Sequence, residues 1–314
     1  MIAYTVYVDH EQCEQSTERD SLRGVSLLLQ IEAATKSFPG FALGPLSLEL
    51  EPGMVLGFAG PNGAGKTTTL KMIMGLLQPD SGELHFLDSS IDRRLGAWKN
   101  EIGYVAEDQV FYEGWNGSQN LEFQARLHGG WCMDRAEGLA KRLDLDLAKQ
   151  ARNLSRGNRV KLALVSALSY QPRLLLLDEP TSGLDPITRT EVLDLLLEYT
   201  SCGERSVLFS THIIPDLARI ADIVTFINDG LIIRSGAPAD ITETWRKIRF
   251  RFPFKEIDLP GVVMHKVDGD VHLVVTSELQ ESKKKLEGLG AMIGDSHPIS
   301  LEEAAVYILK GGTS

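Results

Sequence analysis

Cysteine is scarce in this sequence, and the three cysteines that occur are scattered. Cys13, Cys132 and Cys202 are odd in number and lack the close spacing of metal ligands, so they predict unpaired thiols in a reducing compartment. The N-terminus also lacks a basic region followed by an apolar core and a small-residue cleavage site, the pattern typical of a secretion signal. These features favour a location inside the cell.

Long hydrophobic runs and an excess of basic charge are also absent. No apolar run approaches the ~20 residues that a membrane-spanning helix needs, so we expect the chain not to cross a bilayer by itself. Acidic residues outnumber basic ones, 43 to 32, which gives a formal net charge of −11. Because binding to the phosphate backbone of nucleic acids depends on clustered lysine and arginine, no nucleic-acid partner is expected. The 314 residues are enough for one large and one small domain.

The most informative stretch is a glycine-rich turn between the apolar run Met54 to Ala59 and a helix-compatible run that starts at Thr67. It follows the pattern G-x-x-x-x-G-K-[ST], in which backbone N–H groups and a helix N-terminus surround a phosphate. We expect Lys66 to reach the β and γ phosphates and the Thr67 hydroxyl to bind Mg²⁺. The predicted phosphate-binding residues are Gly60, Pro61, Asn62, Gly63, Ala64, Gly65, Lys66, Thr67 and Thr68.

Two acidic residues follow the apolar run Leu174 to Leu177, whose continuous hydrophobicity is typical of a strand buried on both faces. Asp178 is predicted to hold the Mg²⁺ shell, and Glu179 to orient or deprotonate the attacking water. His212, two residues after the strand-like run Val207 to Ser210, is a candidate to bond the γ-phosphate and position that water. Taken alone, such an acid is more often an ordinary strand-end residue and such a histidine an ordinary loop residue, and only the combination with Lys66 favours the catalytic interpretation.

Phe38 lies in a turn, Phe38-Pro39-Gly40-Phe41, shortly before the glycine-rich loop. An aromatic ring there can stack on a nucleotide base, because every base has a π face. A core or turn aromatic is the alternative interpretation.

Strand-like and helix-like segments alternate along most of the chain, which predicts a largely parallel, three-layered α/β core. Two strand-like runs before the glycine-rich loop and a set of consecutive helices from Asn116 to Leu145 indicate an additional sheet and a helical lobe. The Asn228-Asp229-Gly230 turn predicts a closing hairpin.

After about Thr244, aromatic and basic residues, two short strands and two helices predict a small α+β domain in which no residues have the spacing of a catalytic motif. Residues 1–24 are polar and aperiodic and are predicted to form a flexible tail; we expect that translation in the native host begins at Val25.

In order along the chain, these segments resemble the motifs of the ATP-binding subunits of ABC transporters. The resemblance covers roughly Leu27 to Gly236: the glycine-rich loop is similar to Walker A and Leu174 to Glu179 to Walker B. Ser155 and Gly157 lie in Leu154-Ser155-Arg156-Gly157-Asn158, which looks like the signature sequence. Ser182-Gly183-Leu184-Asp185 looks like the D-loop, Ser210-Thr211-His212 like the switch histidine, and Phe38 falls at the base-stacking position.

Two segments depart from the family pattern. Glu107 stands where a Q-loop glutamine is usual, and its carboxylate is a possible Mg²⁺ ligand. Arg156 and Asn158 replace the more frequent glycine and glutamine of the signature. Arg156 either adds a phosphate contact or strains a turn that prefers glycine.

The resemblance implies a fold of class α/β: a P-loop cassette with a mainly parallel sheet core, an antiparallel N-terminal subdomain and a helical lobe at residues 25–243, plus a small α+β C-terminal domain at residues 244–314. It implies ATP and Mg²⁺ as cofactors and ATP hydrolysis coupled to transport. The implied partners are an integral membrane permease subunit and a second cassette, identical or related, bound head to tail.

In that dimer, Ser155, Gly157 and Asp185 of one subunit face the nucleotide of the other, and Phe111, Tyr112 and Trp115 are candidates for permease docking. The expected location is cytoplasmic, at the inner face of the membrane, and the expected branch is the exporters. The alternatives are a regulatory ATPase without a membrane partner and a low-turnover, nucleotide-sensing half of an asymmetric pair.

Overall fold

The computed structural model describes residues 27–87, 89–91, 96–254 and 256–311. The predicted tail, residues 1–24, and the expected start at Val25 lie outside the described residues. The strands are β1 (Leu29–Phe38), β2 (Phe41–Leu50), β3 (Val55–Ala59), β4 (Ser81–Phe86), β5 (Ser89–Ser90), β6 (Ile102–Val105), β7 (Leu174–Asp178), β8 (Ser206–Thr211), β9 (Ile223–Asn228), β10 (Leu231–Gly236), β11 (Arg246–Arg251), β12 (Val262–Asp268), β13 (Val271–Thr276) and β14 (Met292–Pro298).

The helices connect these strands and cover the sheets. They are α1 (Lys66–Ile73), α2 (Gly117–Ala125), α3 (Met133–Arg142), α4 (Arg156–Leu168), α5 (Pro186–Thr200), α6 (Ile214–Ile220), α7 (Pro238–Thr244), α8 (Leu279–Gly288) and α9 (Leu301–Gly311). In the described part of the chain, no helix combines the length and the apolar character needed to cross a bilayer.

The central sheet has the strand order β10-β9-β3-β8-β7-β6, and every neighbouring pair is parallel except β9 with β10. Strands β3 and β7 are buried along their whole length, because helices cover both faces of a parallel sheet. The predicted hairpin is confirmed: Asp229 and Gly230 both have positive φ, the conformation of the two-residue turns that match the twist of paired strands. The prediction of a parallel α/β core is confirmed as well.

A second, antiparallel sheet has the order β2-β1-β4-β5 and packs on one side of the core with α1 between. The helical lobe consists of α2 and α3, which both pack against α4. Asn116 begins α2 with a complete capping box, in which its side chain accepts from the Gln119 N–H and the Gln119 side chain accepts from the Asn116 N–H. The helical run predicted from Asn116 onward is therefore confirmed at its start.

The C-terminal segment forms a third sheet, in the order β12-β13-β11-β14, with its own apolar cluster under α8. Helix α9 does not stay with this sheet alone: it packs against α6, α7 and β9, and Ala304 and Ile308 join the apolar core that contains Val224 and Phe226. Lys247 and Glu303 form an ion pair of 2.6 Å between β11 and α9. The last helix thus ties the C-terminal segment to the cassette, while the boundary at residue 244 stays a prediction.

Candidate functional site

The glycine-rich loop joins the buried end of β3 to the N-terminus of α1. Gly65 precedes α1 with φ 111°, and no side chain caps the helix, so the N–H groups of its first turn are available to a ligand. A φ of 111° is a conformation that residues other than glycine rarely adopt, and a Cβ at Gly65 would also lie 2.4 Å from Leu43 Cδ1, so glycine is the residue that fits here. This geometry suits an anion such as a phosphate.

Lys66 is the cation of the loop, and its side chain is only 6% exposed. Its Nζ donates to the carbonyl oxygens of Gly60 at 2.8 Å and Pro61 at 3.2 Å and lies 3.3 Å from Glu179 Oε1. The loop carbonyls therefore hold the ammonium group between the phosphate cradle and the end of β7.

Thr67 and Asp178 meet beside Lys66. The Thr67 hydroxyl donates to Asp178 Oδ2 at 2.7 Å, and the Ser210 hydroxyl donates to Asp178 Oδ1 at 2.5 Å. Asp178 is buried, so these bonds replace the solvent that its carboxylate loses. Among the residues described, no group of three or more acidic, histidine or cysteine side chains forms a metal cage. An all-oxygen pair of Thr67 and Asp178 nevertheless fits Mg²⁺, which usually takes one or two carboxylates together with phosphate oxygens and water.

Glu179 follows β7 with φ 50°, a left-handed conformation that is uncommon outside glycine. Its backbone N–H donates to Ser210 O at 3.0 Å, which anchors the residue to β8. Oε2 lies 2.8 Å from His212 Nδ1, while Oε1 faces Lys66. The carboxylate is thus fixed between a half-exposed histidine and a buried cation, with its position set by two neighbouring strands.

These residues surround a cavity of about 460 Å³. Its walls contain most of the predicted phosphate and metal residues, and its lining consists of Phe38, Phe41, Asn62, Gly63, Gly65, Lys66, Thr67, Thr68, Glu107, Asp178 and Glu179. Glu107 is exposed at the rim. Burial raises the pKa of Tyr104 to about 12, helped by the negative charges of Asp178 and Glu107, so this phenol stays protonated beside the acids.

Two aromatic rings form the mouth of the cavity. Phe38 is 40% exposed, and its ring centroid lies 6.4 Å from that of Phe41 in a stacked arrangement. Sequence reasoning missed Phe41, although its position three residues after Phe38 across a tight turn is a usable signal. Together the two rings offer an apolar platform for a flat ligand.

We expect Phe38→Ala to weaken ATP binding by about fivefold to a hundredfold, since base–aromatic stacking contributes about 1–3 kcal/mol per base. Phe41→Ala is expected to have a smaller effect, because Phe41 packs partly against the core. Equilibrium titration with ATP and with inorganic triphosphate separates the base from the phosphates. Loss of affinity for triphosphate as well would contradict a stacking role for Phe38.

The predicted site residues that do not line this cavity are Gly60, Pro61, Ala64, Ser155, Gly157, Asp185 and His212. Ser155 caps α4, its hydroxyl oxygen accepting from the Asn158 N–H at 3.2 Å, and its own O–H donates to no residue in the described part of the chain, so it can donate to a ligand. Asp185 caps α5 through the N–H groups of Ile187 and Thr188. Gly157 packs against Thr188, which brings the starts of α4 and α5 together.

Arg156 is the first residue of α4 and is not among the residues with positive φ. A helical position suits any residue, so the predicted alternative of a strained turn is wrong. Its guanidinium lies over Gly183, which itself has φ 69°; a side chain on Gly183 would come within 3.2 Å of the Arg156 Cζ and Nε atoms. The arginine therefore packs over the loop between Glu179 and Asp185.

Comparison with known proteins agrees with this geometry. The sequence pattern described as ABC transporter matches residues 43–182. The chain is 29% identical to the ABC transporter ATP-binding protein YtrB of Bacillus subtilis, over 91% of this chain and 98% of that protein. It is 34% identical to the uncharacterized ABC transporter ATP-binding protein YxlF of Bacillus subtilis, over 73% of this chain and 77% of that protein.

A third relative is the Nod factor export ATP-binding protein I of Cupriavidus metallidurans, 34% identical over 63% of this chain and 67% of that protein. A solved structure of an ATP-binding subunit of an ABC transporter superposes with a TM-score of 0.63 at 26% identity, covering 69% of this chain and 92% of that chain. The chain belongs to the family of ABC transporter ATP-binding proteins.

Proposed function

We propose that this chain is a Mg²⁺-dependent ATPase that works as a head-to-tail dimer of cassettes and energises an integral membrane partner. The family binds ATP and hydrolyses it in transport. The single observation that carries the proposal for this chain is the convergence of Lys66, Thr67, Asp178 and Glu179 on one cavity, with His212 bonded to Glu179.

Nucleotide binding rests on the glycine-rich loop and α1. The phosphates replace water at the uncapped N–H groups of α1, and the Lys66 ammonium neutralises part of their charge. The Thr67 hydroxyl and the Asp178 carboxylate would hold Mg²⁺, with Glu107 at the rim as a further oxygen donor. A Mg²⁺ ion held by these residues would supply positive charge to offset the negative charge that develops on the phosphates as the bond breaks.

Hydrolysis rests on Glu179. Its carboxylate orients a water for in-line attack on the γ-phosphorus and accepts a proton from it. His212 holds one carboxylate oxygen at 2.8 Å, which leaves the other oxygen to turn toward the water once Lys66 engages the phosphates. His212 contacts Glu179 through Nδ1, which leaves Nε2 as the ring atom that would bond a γ-phosphate oxygen.

The second cassette completes the site. Ser155, Gly157 and Asp185 do not line the cavity of their own chain but lie at the adjacent starts of α4 and α5. A free Ser155 hydroxyl at a helix N-terminus suits the γ-phosphate held by the facing chain. Residues 25–243 would form this cassette and residues 244–314 an accessory domain, an arrangement supported by the separate apolar cluster under α8.

A surface for the membrane partner is the aromatic cluster of Tyr112, Trp115 and Phe123 on the helical lobe. The ring of Tyr112 lies 4.3 Å from Trp115 and 5.1 Å from Phe123, yet Tyr112 is 51% and Trp115 38% exposed. Asn120 fixes the loop: its Oδ1 accepts from the Tyr112 N–H at 2.9 Å and its Nδ2 donates to Asn116 O at 3.0 Å. The candidate Phe111 is different, because it packs against the core.

We propose that an amphipathic helix of the membrane subunit docks on this aromatic cluster, with transport in the direction of export. The export direction is supported by the likeness to the Nod factor export ATP-binding protein. Aromatic side chains dominate the energetics of such contacts, so removal of two should release the partner.

The test is phosphate release by the chain with its copurified membrane protein, in wild type and in Tyr112→Ser/Trp115→Ser. We expect the double variant to lose copurification and stimulation by the partner while retaining the basal rate, and chelation of Mg²⁺ with EDTA to stop release in both. Phe254→Ser, at an exposed aromatic of the C-terminal segment, is the matched control. Copurification with ribosomes instead of a membrane protein would favour the regulatory ATPase, and binding of ATP without turnover would favour the nucleotide-sensing half.

A further inference from the structure

Arg159 lies in the second turn of α4, four residues after the helix cap Ser155, and its guanidinium reaches across to another part of the chain. Nη2 donates to Gln109 O at 2.8 Å and to Glu113 Oε1 at 2.9 Å. Nη1 donates to Glu113 Oε2 at 3.2 Å and to Ala151 O at 3.1 Å. The group also covers the ring of Phe111 at 5.4 Å. One side chain thus contacts four residues that flank α4 in space.

Three of these contacts belong to a segment that we call the relay segment, residues 106–115. At its start, Glu107 lines the nucleotide cavity. Toward its end, Tyr112 and Trp115 are the exposed members of the aromatic cluster. Arg159 binds the relay segment between these two points, at Gln109, Phe111 and Glu113. Arg159 thus joins the middle of the relay segment to the helix that Ser155 caps.

The backbone reinforces this attachment. The Ala151 N–H donates to Trp115 O at 2.8 Å and the Arg152 N–H to Glu113 O at 3.2 Å, so the turn just before Ser155 is bonded to the relay segment as well. Arg159 adds the connection to α4 itself. The relay segment, the turn and the start of α4 therefore form one hydrogen-bonded unit.

The planar geometry of the Arg159 guanidinium does more to hold the relay segment in place than its positive charge does. The Arg159 and Glu113 side chains are 21% and 53% exposed, and an ion pair at such a surface contributes little by itself. A planar fork, in contrast, fixes direction, because it binds both carboxylate oxygens while its remaining N–H groups reach two backbone carbonyls. The bond also lowers the pKa of Glu113, so the pair stays charged near neutral pH.

We propose that Arg159 is a positioning residue that makes the Ser155 end of α4 move together with the relay segment. Nucleotide at Glu107 and a partner on Tyr112 and Trp115 then both change how Ser155 is presented to the facing cassette. This inference rests on the proposed function, since it assigns a route between the nucleotide, the docking surface and the signature of one chain.

The experiment compares Arg159→Gln, Arg159→Lys and the matched control Arg152→Gln in the full chain. Arg152 is an exposed arginine near the same end of α4, and its side chain bonds only Gln150 among the residues described. We expect Arg159→Gln to lower kcat for phosphate release by about threefold to thirtyfold, the range of coupling changes along such networks, with KM for ATP unchanged. Arg159→Lys keeps the charge without the fork and should recover only part of kcat.

Hydrogen exchange provides a measurement whose response to ATP would not change if Arg159 only stabilised the fold. In a Glu179→Gln background, ATP is expected to protect the peptides spanning residues 106–115 and 152–160 together. With Arg159→Gln added, ATP should protect the first peptide while the second loses its response, and Arg152→Gln should leave both responses intact.

Equal kcat and equal ATP-dependent protection in Arg159→Gln and Arg152→Gln would overturn the inference. So would a fall in kcat accompanied by faster exchange throughout the helical lobe without ATP, because that pattern means a loosened fold. If the chain with Arg159 intact neither releases phosphate nor shows any ATP-dependent protection, the proposed function fails, and the inference that rests on it fails too.

Discussion

Glu179→Gln is expected to abolish steady phosphate release while ATP and Mg²⁺ remain bound. The glutamine has the same size and keeps a neighbour at His212, but its amide cannot take a proton from water. A positioned general base contributes about 10²–10⁴-fold to a rate, and we expect a loss of that order. Binding should survive because Glu179 lies on the far side of Lys66 from the glycine-rich loop.

The same substitution is expected to trap an ATP-bound dimer. In the proposed cycle ATP joins two cassettes and hydrolysis separates them, so a chain that binds without turnover accumulates in the joined state. Light scattering behind a sizing column, with and without Mg²⁺-ATP, measures this directly. Glu198→Gln, at an exposed acid on α5, is the control for loss of one negative charge. Normal turnover by Glu179→Gln would refute the role given to Glu179.

Much of this arrangement follows from local sequence. Four consecutive leucines predict the buried strand β7. An asparagine followed three positions later by a glutamine predicts the start of α2. The glycine-rich loop is equally local, because the backbone positions that cradle a phosphate are consecutive. Such features depend on neighbours in the chain, and single-sequence rules describe them well.

Other features depend on residues that are distant in the chain. The Ser210 hydroxyl that bonds Asp178 comes from the adjacent strand, and Arg159 reaches the relay segment 46 residues earlier at Glu113. No periodicity or motif encodes these pairs, since either partner alone is an ordinary polar residue. The packing of α9 on the cassette escaped prediction for the same reason, although its own helical run was predicted.

Strand β14 and helix α7 are among the elements that escaped prediction, and both did so for local reasons. Strand β14 contains Gly294 and ends at Pro298, residues that weaken a strand pattern and are tolerated at the edge of a sheet, where β14 lies. Helix α7 is short, begins with Pro238 and has little apolar periodicity. Both elements are held by the tertiary structure: Ile241 of α7 joins the main apolar core.

Lys66→Ala is expected to reduce severely the affinity of this chain for ATP. Hydrogen bonds to charged groups contribute about 1.5–3 kcal/mol each, so losing the ammonium costs about tenfold to a hundredfold in affinity. The residue left behind adds to the loss, because Glu179 then faces the phosphates with no cation between them. Lys71→Ala, an exposed lysine in the last turn of α1, is the matched control and should bind normally.

The double variant Lys66→Ala/Glu179→Gln separates these two contributions. If repulsion from an uncompensated Glu179 is part of the loss, neutralising that carboxylate restores some of the ATP affinity that Lys66→Ala removes. The lost ammonium–phosphate bonds are not restored, so recovery is expected to be incomplete. Calorimetric titration of the four proteins gives the coupling free energy between the two residues. A double variant no better than Lys66→Ala would mean that Lys66 acts on the phosphates alone, and that its contact with Glu179 has no bearing on how ATP binds.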